Sequence, residues 1–461
     1  MAFCYYDVRE AMKTTLTPET LHPILGSLSR ANAAHDALYP GDLIERQPVH
    51  TVYGGAHLFK PETPAKLGSL ALDVIRNYAG DSAAFAESVG LPHDDLAKLV
   101  FQRTVAKLEH EPVEDFRIDF EDGYGHRSDS EEDGHALSAA KATARAIGTR
   151  GFPPFLGIRI KSFTEVLRAR AIRTLDLFLT TLLDEGANIP ANFAVTLPKI
   201  TVPEQVTALG KLLDILENRY TITPGTIKVE LMIEAPQLIV GPAGVCLIPK
   251  LLEAAGSRCR GLHFGPYDYL ASCNIGSAEA GIAHPACDFA RHHMQVSAAG
   301  HGVMLSDGPT NILPIPKHRA PSGGSLTAEQ AGENSAIVQR ALRLHFQNVQ
   351  RSLSHGFYQG WDLHPGQLVA RYAAVYTNFL RSFDAAAARL KNFVEQAARA
   401  TLVGDVFDDA ATGQGLLNFF LRGVNCGAFN EEEAARAGLS VEELRSRSFL
   451  KILDRRRAQA V

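Results

Sequence analysis

Short apolar runs recur along the chain, and stretches of helix length separate them. Runs of this length predict buried strands, because a strand covered on both faces needs no polar alternation. The intervening stretches, such as KLGSLALDVIRNYA and PEQVTALGKLLDILENRY, carry apolar residues at steps of three and four, the spacing of an amphipathic helix. The eight predicted strands are residues 50–53, 116–120, 155–160, 193–197, 229–233, 261–264, 302–305 and 360–363.

Eight strands that alternate with helices predict an α/β fold, a (β/α)8 TIM barrel. A doubly wound open sheet would alternate similarly, but neither GxGxxG nor GxxxxGK[ST] follows any predicted strand. We expect a short N-terminal helical lead over residues 1–47, a barrel domain over residues 48–380 and a C-terminal helical extension over residues 381–461. The pattern also predicts a helix over residues 241–256 that ends at a glycine, and a helix pair over residues 370–400.

Composition narrows the class of protein. The chain of 461 residues has a formal charge of −5 and a pI near 6.4, so it lacks the basic surplus typical of nucleic-acid binding. Its six cysteines form no CxxC pair, which fits a reducing compartment. No apolar run approaches the roughly 20 residues that a bilayer requires, and the first residues lack a signal-peptide pattern. We expect a soluble cytoplasmic protein that binds neither membrane nor nucleic acid.

A barrel places its functional groups just beyond the C-terminal ends of its strands. Polar residues stand at this position after almost every predicted strand. Each of them also has a purely structural explanation, such as a solvated strand end for a lysine or a capped core position for a histidine. The residues, in strand order, are His57; Asp119, Glu121, Asp122 and His126; Arg159; Lys199; Glu234; Asp268; Asp307; and His364.

Two of these carboxylates, Glu234 and Asp268, follow successive strands that one predicted helix separates. Parallel strands end at the same edge of a sheet, so both acids should face the same space. Two hard oxygen ligands with positions left for water and substrate suit Mg²⁺ or Mn²⁺ better than Zn²⁺. The structural alternative is an exposed loop acid at Glu234 and a helix N-cap at Asp268.

Six segments in this order resemble the citrate lyase beta-subunit-like family of the metal-dependent oxo-acid aldolase superfamily, which shares the phosphoenolpyruvate/pyruvate barrel. The resemblance covers about residues 48–425. Where that family commonly has an arginine after its Ile-Glu-Thr-Pro motif, this chain has Gln237. The matching segments are RIDFEDGYG, GIRI, LPKI, LMIEAP, HFGPYDYLAS and GFYQGWDLHPGQL.

The resemblance implies a role for each matching residue. Glu234 and Asp268 would ligate Mg²⁺ or Mn²⁺, and Arg159 would bind the carboxylate or enolate oxygen of the substrate. Glu121 and Asp122 would hold metal-bound water or support the metal ligands. For the proton-transferring group, His57, His126 and a metal-bound water remain open. The other expected substrate contacts are Gly265, Pro266, Lys199 and His364.

These roles favour a metal-dependent carbon–carbon lyase or aldolase that acts on a hydroxy or oxo acid, or on its coenzyme A thioester, through an enolate. Three alternatives stay open. The first is a condensing acyltransferase of the malate-synthase kind, and the second a non-catalytic barrel subunit of a larger complex. The third is a Schiff-base mechanism at Lys199, which a metal-stabilised enolate would make unnecessary. A closed homo-oligomer is the expected assembly.

Overall fold

The eight predicted strands form a closed parallel barrel in the computed structural model of the protein. The structure describes residues 15–41, 45–321, 323–395, 401–403, 406–408, 410–446 and 452. Each strand pairs with its sequence neighbours, and β8 pairs with β1 to close the ring. The predicted TIM barrel is confirmed. Its strands are β1 (His50–Gly55), β2 (Asp115–Asp119), β3 (Phe155–Arg159), β4 (Phe193–Leu197), β5 (Lys228–Ile233), β6 (Cys259–Phe264), β7 (Met304–Pro309) and β8 (Gln359–Asp362).

Helices follow the strands as the alternation predicts, and further helices lie before β1 and after β8. A small antiparallel pair, β9 (Thr401–Val403) and β10 (Val406–Asp408), follows the barrel. The helices are α1 (Pro18–Leu38), α2 (Thr63–Tyr78), α3 (Ser82–Val89), α4 (Asp95–His110), α5 (Asp129–Ala146), α6 (Arg168–Asp184), α7 (Pro203–Arg219), α8 (Pro236–Ile239), α9 (Ile248–Ala255), α10 (Pro266–Ser272), α11 (Pro285–Ala298), α12 (Ala328–Ser354), α13 (Pro365–Glu395), α14 (Ala410–Cys426), α15 (Glu431–Ala435) and α16 (Val441–Ser446).

Helix α1 belongs to a small unit whose described residues are 15–41 and Ala299–Gly302. The Thr17 side chain accepts the Thr20 amide at the start of α1, which satisfies one of the free amides of the first turn. No residue of α1 is buried. The rest of the chain forms a second unit, which contains the barrel. The predicted divisions after residues 47 and 380 stay predictions.

Two of the helix predictions were wrong in extent. The helix predicted over residues 241–256 is restricted to α9, because Pro242–Gly244 forms a 3-10 turn in which Ala243 has a φ of +61°. Its predicted glycine end is correct, since Gly256 follows the last helical residue. The helix pair predicted over residues 370–400 is instead one helix, α13, which continues unbroken to Glu395.

The barrel interior below the strand ends is polar. Arg117 on β2 is fully buried and binds Asp115 and Glu230, and its Nε also lies 3.1 Å from Thr196 Oγ1. A buried guanidinium persists only where carboxylates and acceptors satisfy it, because an unpaired charge in this environment is costly. Charged pairs therefore fill part of a space that aliphatic layers commonly fill in this fold.

In the described part of the chain, no single helix is long and apolar enough to cross a membrane; one bent pair, Pro236–Gly244 with Ile248–Arg258, passes that test by length and composition together. The five cysteines among the described residues are free thiols.

Candidate active site

The register of the first three strands aligns the residues at the barrel mouth. Gly55 on β1 is level with Asp119 on β2, and Asp119 is level with Arg159 on β3. Glu234 directly follows β5, and Gly265 and the first turn of α10 directly follow β6. The predicted residues of strands 2 to 6 thus meet at one end of the barrel.

Arg159 is the centre of an ion-pair cluster. Its Nε and Nη2 donate to the two oxygens of Asp119 at 2.7 and 2.6 Å, so a planar bidentate pair fixes the guanidinium. The remaining amine, Nη1, lies 3.1 Å from Glu121 and 3.6 Å from Asp122. The Tyr53 ring lies 4.7 Å from the guanidinium carbon. The predicted anion-binding arginine is therefore at the site, with only Nη1 not held by Asp119.

Lys199 bridges the acids from the opposite side. Its backbone has a φ of +50°, and its amide donates a short hydrogen bond to Glu234 Oε1. Its ammonium binds Glu121 closely and lies 3.1 Å from Asp122 and 3.7 Å from Asp268. Although burial favours the neutral amine, these carboxylates, led by Glu121, raise the pKa of Lys199 above its ordinary value. Lys199 therefore stays charged and acts as a counter-cation inside the cluster.

Glu234 is a buried acid of the cluster with one unpaired oxygen. Its side chain is 2% exposed, and its Oε2 is buried with no hydrogen-bond partner. Burial, with a further contribution from Asp268, raises the pKa of the Glu234 carboxyl to about 8. Gly265 packs directly against it, since a Cβ added at Gly265 would lie 2.5 Å from Glu234 Oε2. An orphaned carboxylate oxygen in a glycine-lined space is a position where a cation would be stabilised.

The net charge of the carboxylate cluster agrees with a cation-binding position. If all groups are ionised, five carboxylates face two cations, an excess of three negative charges. Burial also raises the pKa of Glu121, as expected where acids crowd together. The carboxylates are those of Asp119, Glu121, Asp122, Glu234 and Asp268, and the cations are Arg159 and Lys199.

The donor set fits Mg²⁺ or Mn²⁺ only if water or substrate completes it. Within the residues that the structure describes, no three His, Cys, Asp or Glu side chains lie close enough together to hold a metal ion by themselves. Glu234 and Asp268 would supply two oxygens, and Mg²⁺ commonly takes its remaining ligands from water and substrate. Zn²⁺, which prefers closed nitrogen and sulfur sets, suits the site less well.

The two histidines proposed for proton transfer are in different environments. His57 is half-buried and lies 5.6 Å from the Tyr124 ring and 6.1 Å from the His135 ring, between centroids. Burial, followed by the charge of Arg127, lowers the pKa of His57, and its Nδ1 is buried without a partner. His126 is exposed, and the structure contains no hydrogen bond between it and the described carboxylates of the cluster. His57 thus differs from His126 in its burial and in its unpaired ring nitrogen.

His57 and His364 line one cavity of about 550 Å³, here called the β1 cavity. It is bounded by residues 52–60 and 62–70 and by residues 363–368, with Phe116 behind them. The His364 Nδ1 accepts the Gly366 amide at 3.1 Å, and burial lowers the pKa of the His364 ring. His364 therefore borders this cavity rather than the carboxylate cluster.

Two residues beside Arg159 had no predicted role. Asp119, which orients Arg159, was named only as a strand-end acid, and Tyr53, which packs on Arg159, was not predicted at all. Asp119 is the inward-facing acid of the DFED segment, and strand alternation could have identified it. Asp307, considered as a strand-end group, binds Arg291 at 3.0 Å and Ser352 at 2.6 Å, and so joins β7 to helices α11 and α12.

One protein family matches almost the whole chain. A family model described as a domain of unknown function, DUF6986, matches residues 28–452, so the chain belongs to that family. A comparison with curated proteins found no match. Among solved structures, a citrate lyase from Burkholderia xenovorans is similar with a TM-score of 0.54 and 16% identity, over 87% of this chain and 100% of that one.

Two malate synthase structures from Haloferax volcanii are also similar in part. The lead(II) complex has a TM-score of 0.45 and 12% identity over 76% of this chain and 85% of that one. The magnesium and glyoxylate complex has the same score and identity over 87% and 97% of the two chains. Identities this low establish only the shared fold, for which the citrate lyase carries the evidence. The predicted resemblance is thus confirmed for the barrel and stays a prediction for the citrate lyase beta-subunit-like family.

Proposed function

We propose that this DUF6986 member is a metal-dependent carbon–carbon lyase or aldolase that acts on a hydroxy or oxo acid. One observation carries the proposal: Glu234 is buried with an unpaired oxygen beside Asp268, in a cluster with an excess of carboxylates. An unpaired buried carboxylate oxygen destabilises a fold, so its retention beside a second acid favours a ligand-binding role over a purely structural one.

Glu234 and Asp268 are the residues that would hold Mg²⁺ or Mn²⁺. When bound, such an ion supplies positive charge next to the oxygen on which an enolate develops. Lys199 keeps Glu234 oriented through its backbone amide and keeps Glu121 close through its ammonium. These contacts fix the two acids before any ligand arrives, and such preorganisation is what makes electrostatic stabilisation effective.

Arg159 would bind the carboxylate of the substrate. Asp119 occupies Nε and Nη2, so the substrate would reach Nη1, where Glu121 and Asp122 now lie. A substrate carboxylate can bind Nη1 only if Glu121 and Asp122 move away from it. The free-energy cost of this movement falls when a cation next to the two acids neutralises part of their charge.

Proton transfer is assigned to His57. Its lowered pKa keeps the imidazole neutral near pH 7, and its unpaired Nδ1 can accept a proton. His126, in contrast, is exposed to solvent. Gly265 and Pro266, which begin the segment beside Glu234, would contact the substrate through their backbone.

Calorimetry with Mg²⁺ or Mn²⁺, alone and with oxalate or pyruvate, tests the proposal. We expect metal binding in the wild type, tightened by either acid, and loss of both effects in Glu234→Gln and Asp268→Asn. Asp176→Asn, at an exposed position on α6, is the matched control and should behave as the wild type. Unchanged binding in Glu234→Gln would refute the metal assignment. Turnover only with glyoxylate and acetyl-coenzyme A would support the condensing acyltransferase instead.

A further inference from the structure

Two aromatic rings, those of Tyr53 on β1 and Trp361 on β8, lie beside Arg159 inside the barrel and are here called the aromatic pair. Their centroids are 4.6 Å apart. The guanidinium carbon of Arg159 lies 4.7 Å from the Tyr53 centroid and 6.0 Å from the Trp361 centroid. A cation above an aromatic face is attracted to the ring, and more strongly where water is excluded, as it is around this buried arginine.

One buried histidine holds both rings. His263 on β6 is 1% exposed, and its Nδ1 accepts the indole N–H of Trp361 at 3.2 Å and lies 3.4 Å from the Tyr53 hydroxyl. An indole nitrogen can only donate, so Nδ1 is the acceptor and the ring proton lies on Nε2. Nε2 lies 3.2 Å from an oxygen of Glu230, which also binds Arg117. The orientation of the aromatic pair is thus tied to the charged interior of the barrel.

These contacts leave one nitrogen of Arg159 for a ligand. Glu121 and Asp122 lie next to Nη1, and both must move away before a carboxylate binds there. Asp119 and the aromatic pair contact other parts of the guanidinium, so they do not compete for that nitrogen. A long side chain that is held in place before binding loses less conformational entropy when an anion arrives.

A purely structural layer would not require the histidine. Aliphatic side chains commonly fill the interior of this fold, and they avoid the cost of burying polar groups. A buried histidine whose hydrogen bonds orient two rings beside the predicted anion-binding arginine therefore favours a role at the site.

We propose that Tyr53, Trp361 and His263 are positioning residues for carboxylate binding at Arg159. His263 orients the aromatic pair, and the pair together with Asp119 holds the guanidinium so that Nη1 stays directed at the barrel mouth. The inference rests on the proposed function, because it takes Arg159 as the carboxylate site. It adds that residues below the site, separate from the metal ligands, set part of its affinity for the acid.

Calorimetric titration of the Mg²⁺-loaded protein with oxalate tests the role of His263. His263→Leu should raise the Kd of oxalate about tenfold, the effect of a weakened cation–π contact, and leave the Kd of Mg²⁺ within about twofold. His263→Gln should recover most of the affinity, because its amide can accept from Trp361 and donate to Glu230.

The outcomes separate this inference from the proposed function. Wild-type affinity in both His263 variants, or equal weakening in both, would make His263 merely structural and leave the proposed function standing. A wild type that binds neither Mg²⁺ nor oxalate would refute the proposed function and this inference together.

Tyr53 provides a test that does not depend on the folding of the His263 variants. Tyr53→Phe keeps the ring against Arg159 and should change the Kd of oxalate by less than about threefold, whereas Tyr53→Leu removes the ring and should raise it roughly five- to tenfold. Tyr358→Leu is the matched control, since it removes a ring that lies 3.7 Å from the guanidinium carbon of Arg422. Equal affinities in Tyr53→Phe and Tyr53→Leu would contradict the inference.

Fluorescence gives an independent signal. Trp361 is the only tryptophan in the sequence, so tryptophan emission reports on the aromatic pair alone. Oxalate should change this emission in the Mg²⁺-loaded wild type with the Kd found by calorimetry, and at about tenfold higher concentration in His263→Leu. Constant emission while calorimetry detects oxalate would show that the acid binds away from the aromatic pair, and the inference would fail.

Discussion

Lys199 contacts Glu234 through its backbone amide and reaches Glu121 through its ammonium, from a left-handed backbone conformation with a φ of +50°. A residue other than glycine adopts this conformation at an energetic cost, so surrounding contacts must hold it there. The consequence is that one lysine fixes the spacing between two acids that follow different strands. Repulsion between these acids is therefore offset by a cation of the same chain.

The pH dependence of stability should report the buried Glu234. The pKa of its carboxyl is about 8 in the folded protein and about 4.5 without burial, so the folded state binds the extra proton between these values. The free energy of unfolding of the metal-free protein should therefore fall as pH rises through this window, by up to about 1.4 kcal/mol per pH unit from this group.

Urea unfolding in EDTA at several pH values measures this slope. The slope should flatten in Glu234→Gln, which has no proton to lose. Saturating Mg²⁺ should flatten it in the wild type as well. Identical slopes in the two metal-free proteins would show that Glu234 is ionised throughout.

Lys199→Met should tighten Mg²⁺ or Mn²⁺ binding about tenfold, because it removes a positive charge 3.7 Å from Asp268. Calorimetry measures the change, and Lys211→Met, at an exposed position on α7, is the control.

Borohydride trapping separates the Schiff-base mechanism from the metal-dependent one. A Schiff base at Lys199 predicts covalent trapping of pyruvate in the wild type and none in Lys199→Met, and we expect none in either.

Arg159→Lys should weaken oxalate binding by about 10- to 100-fold although the charge is retained. An ammonium cannot form the bidentate pair with Asp119 that orients the guanidinium, and charge-assisted hydrogen bonds of this kind contribute about 1.5–3 kcal/mol. The measurement is oxalate titration in the presence of Mg²⁺, with circular dichroism to verify the fold. Near-normal affinity would remove Arg159 from the anion site.

Gly265→Ala should destabilise the protein by about 1–3 kcal/mol and weaken metal binding, because the new methyl group would lie 2.6 Å from Glu234 Cβ. Gly276→Ala is the matched control, since a Cβ there meets nothing within 4 Å. Thermal unfolding compares the two variants. Equal stability would mean that Glu234 can move aside without cost.

His57 should titrate below the ordinary histidine pKa of about 6.5, because burial disfavours its charged form. Nitrogen–proton NMR correlation spectra recorded against pH measure the pKa, and His57→Gln assigns the signal. If the pKa of His57 lies above the ordinary value, its assignment as a neutral base at pH 7 is wrong.

The sequence predicted the barrel because eight strand runs and their helices are local signals, and each strand end is marked by a nearby polar residue. It predicted Arg159, Glu234 and Asp268 for the same reason. It could not predict that Asp119 occupies two donors of Arg159 or that Lys199 contacts Glu121 and Glu234. Those contacts depend on strand register and on side-chain reach across the barrel, which no single segment encodes. The helix error at residues 241–256 has a local origin, since the periodic apolar pattern outweighed Gly241 and Pro242.

The alignment of Gly55, Asp119 and Arg159 has a consequence for how such proteins diversify. These three residues are positioned by hydrogen bonding between β1, β2 and β3, whereas the β1 cavity is formed largely by α2 and by the segments after β1 and β8. Changes in α2 and those segments can therefore reshape the cavity while the three residues of the barrel mouth stay in register. Two neighbouring parts of one molecule thus differ in how freely their sequences can drift, because backbone pairing constrains the first and side-chain size alone constrains the second.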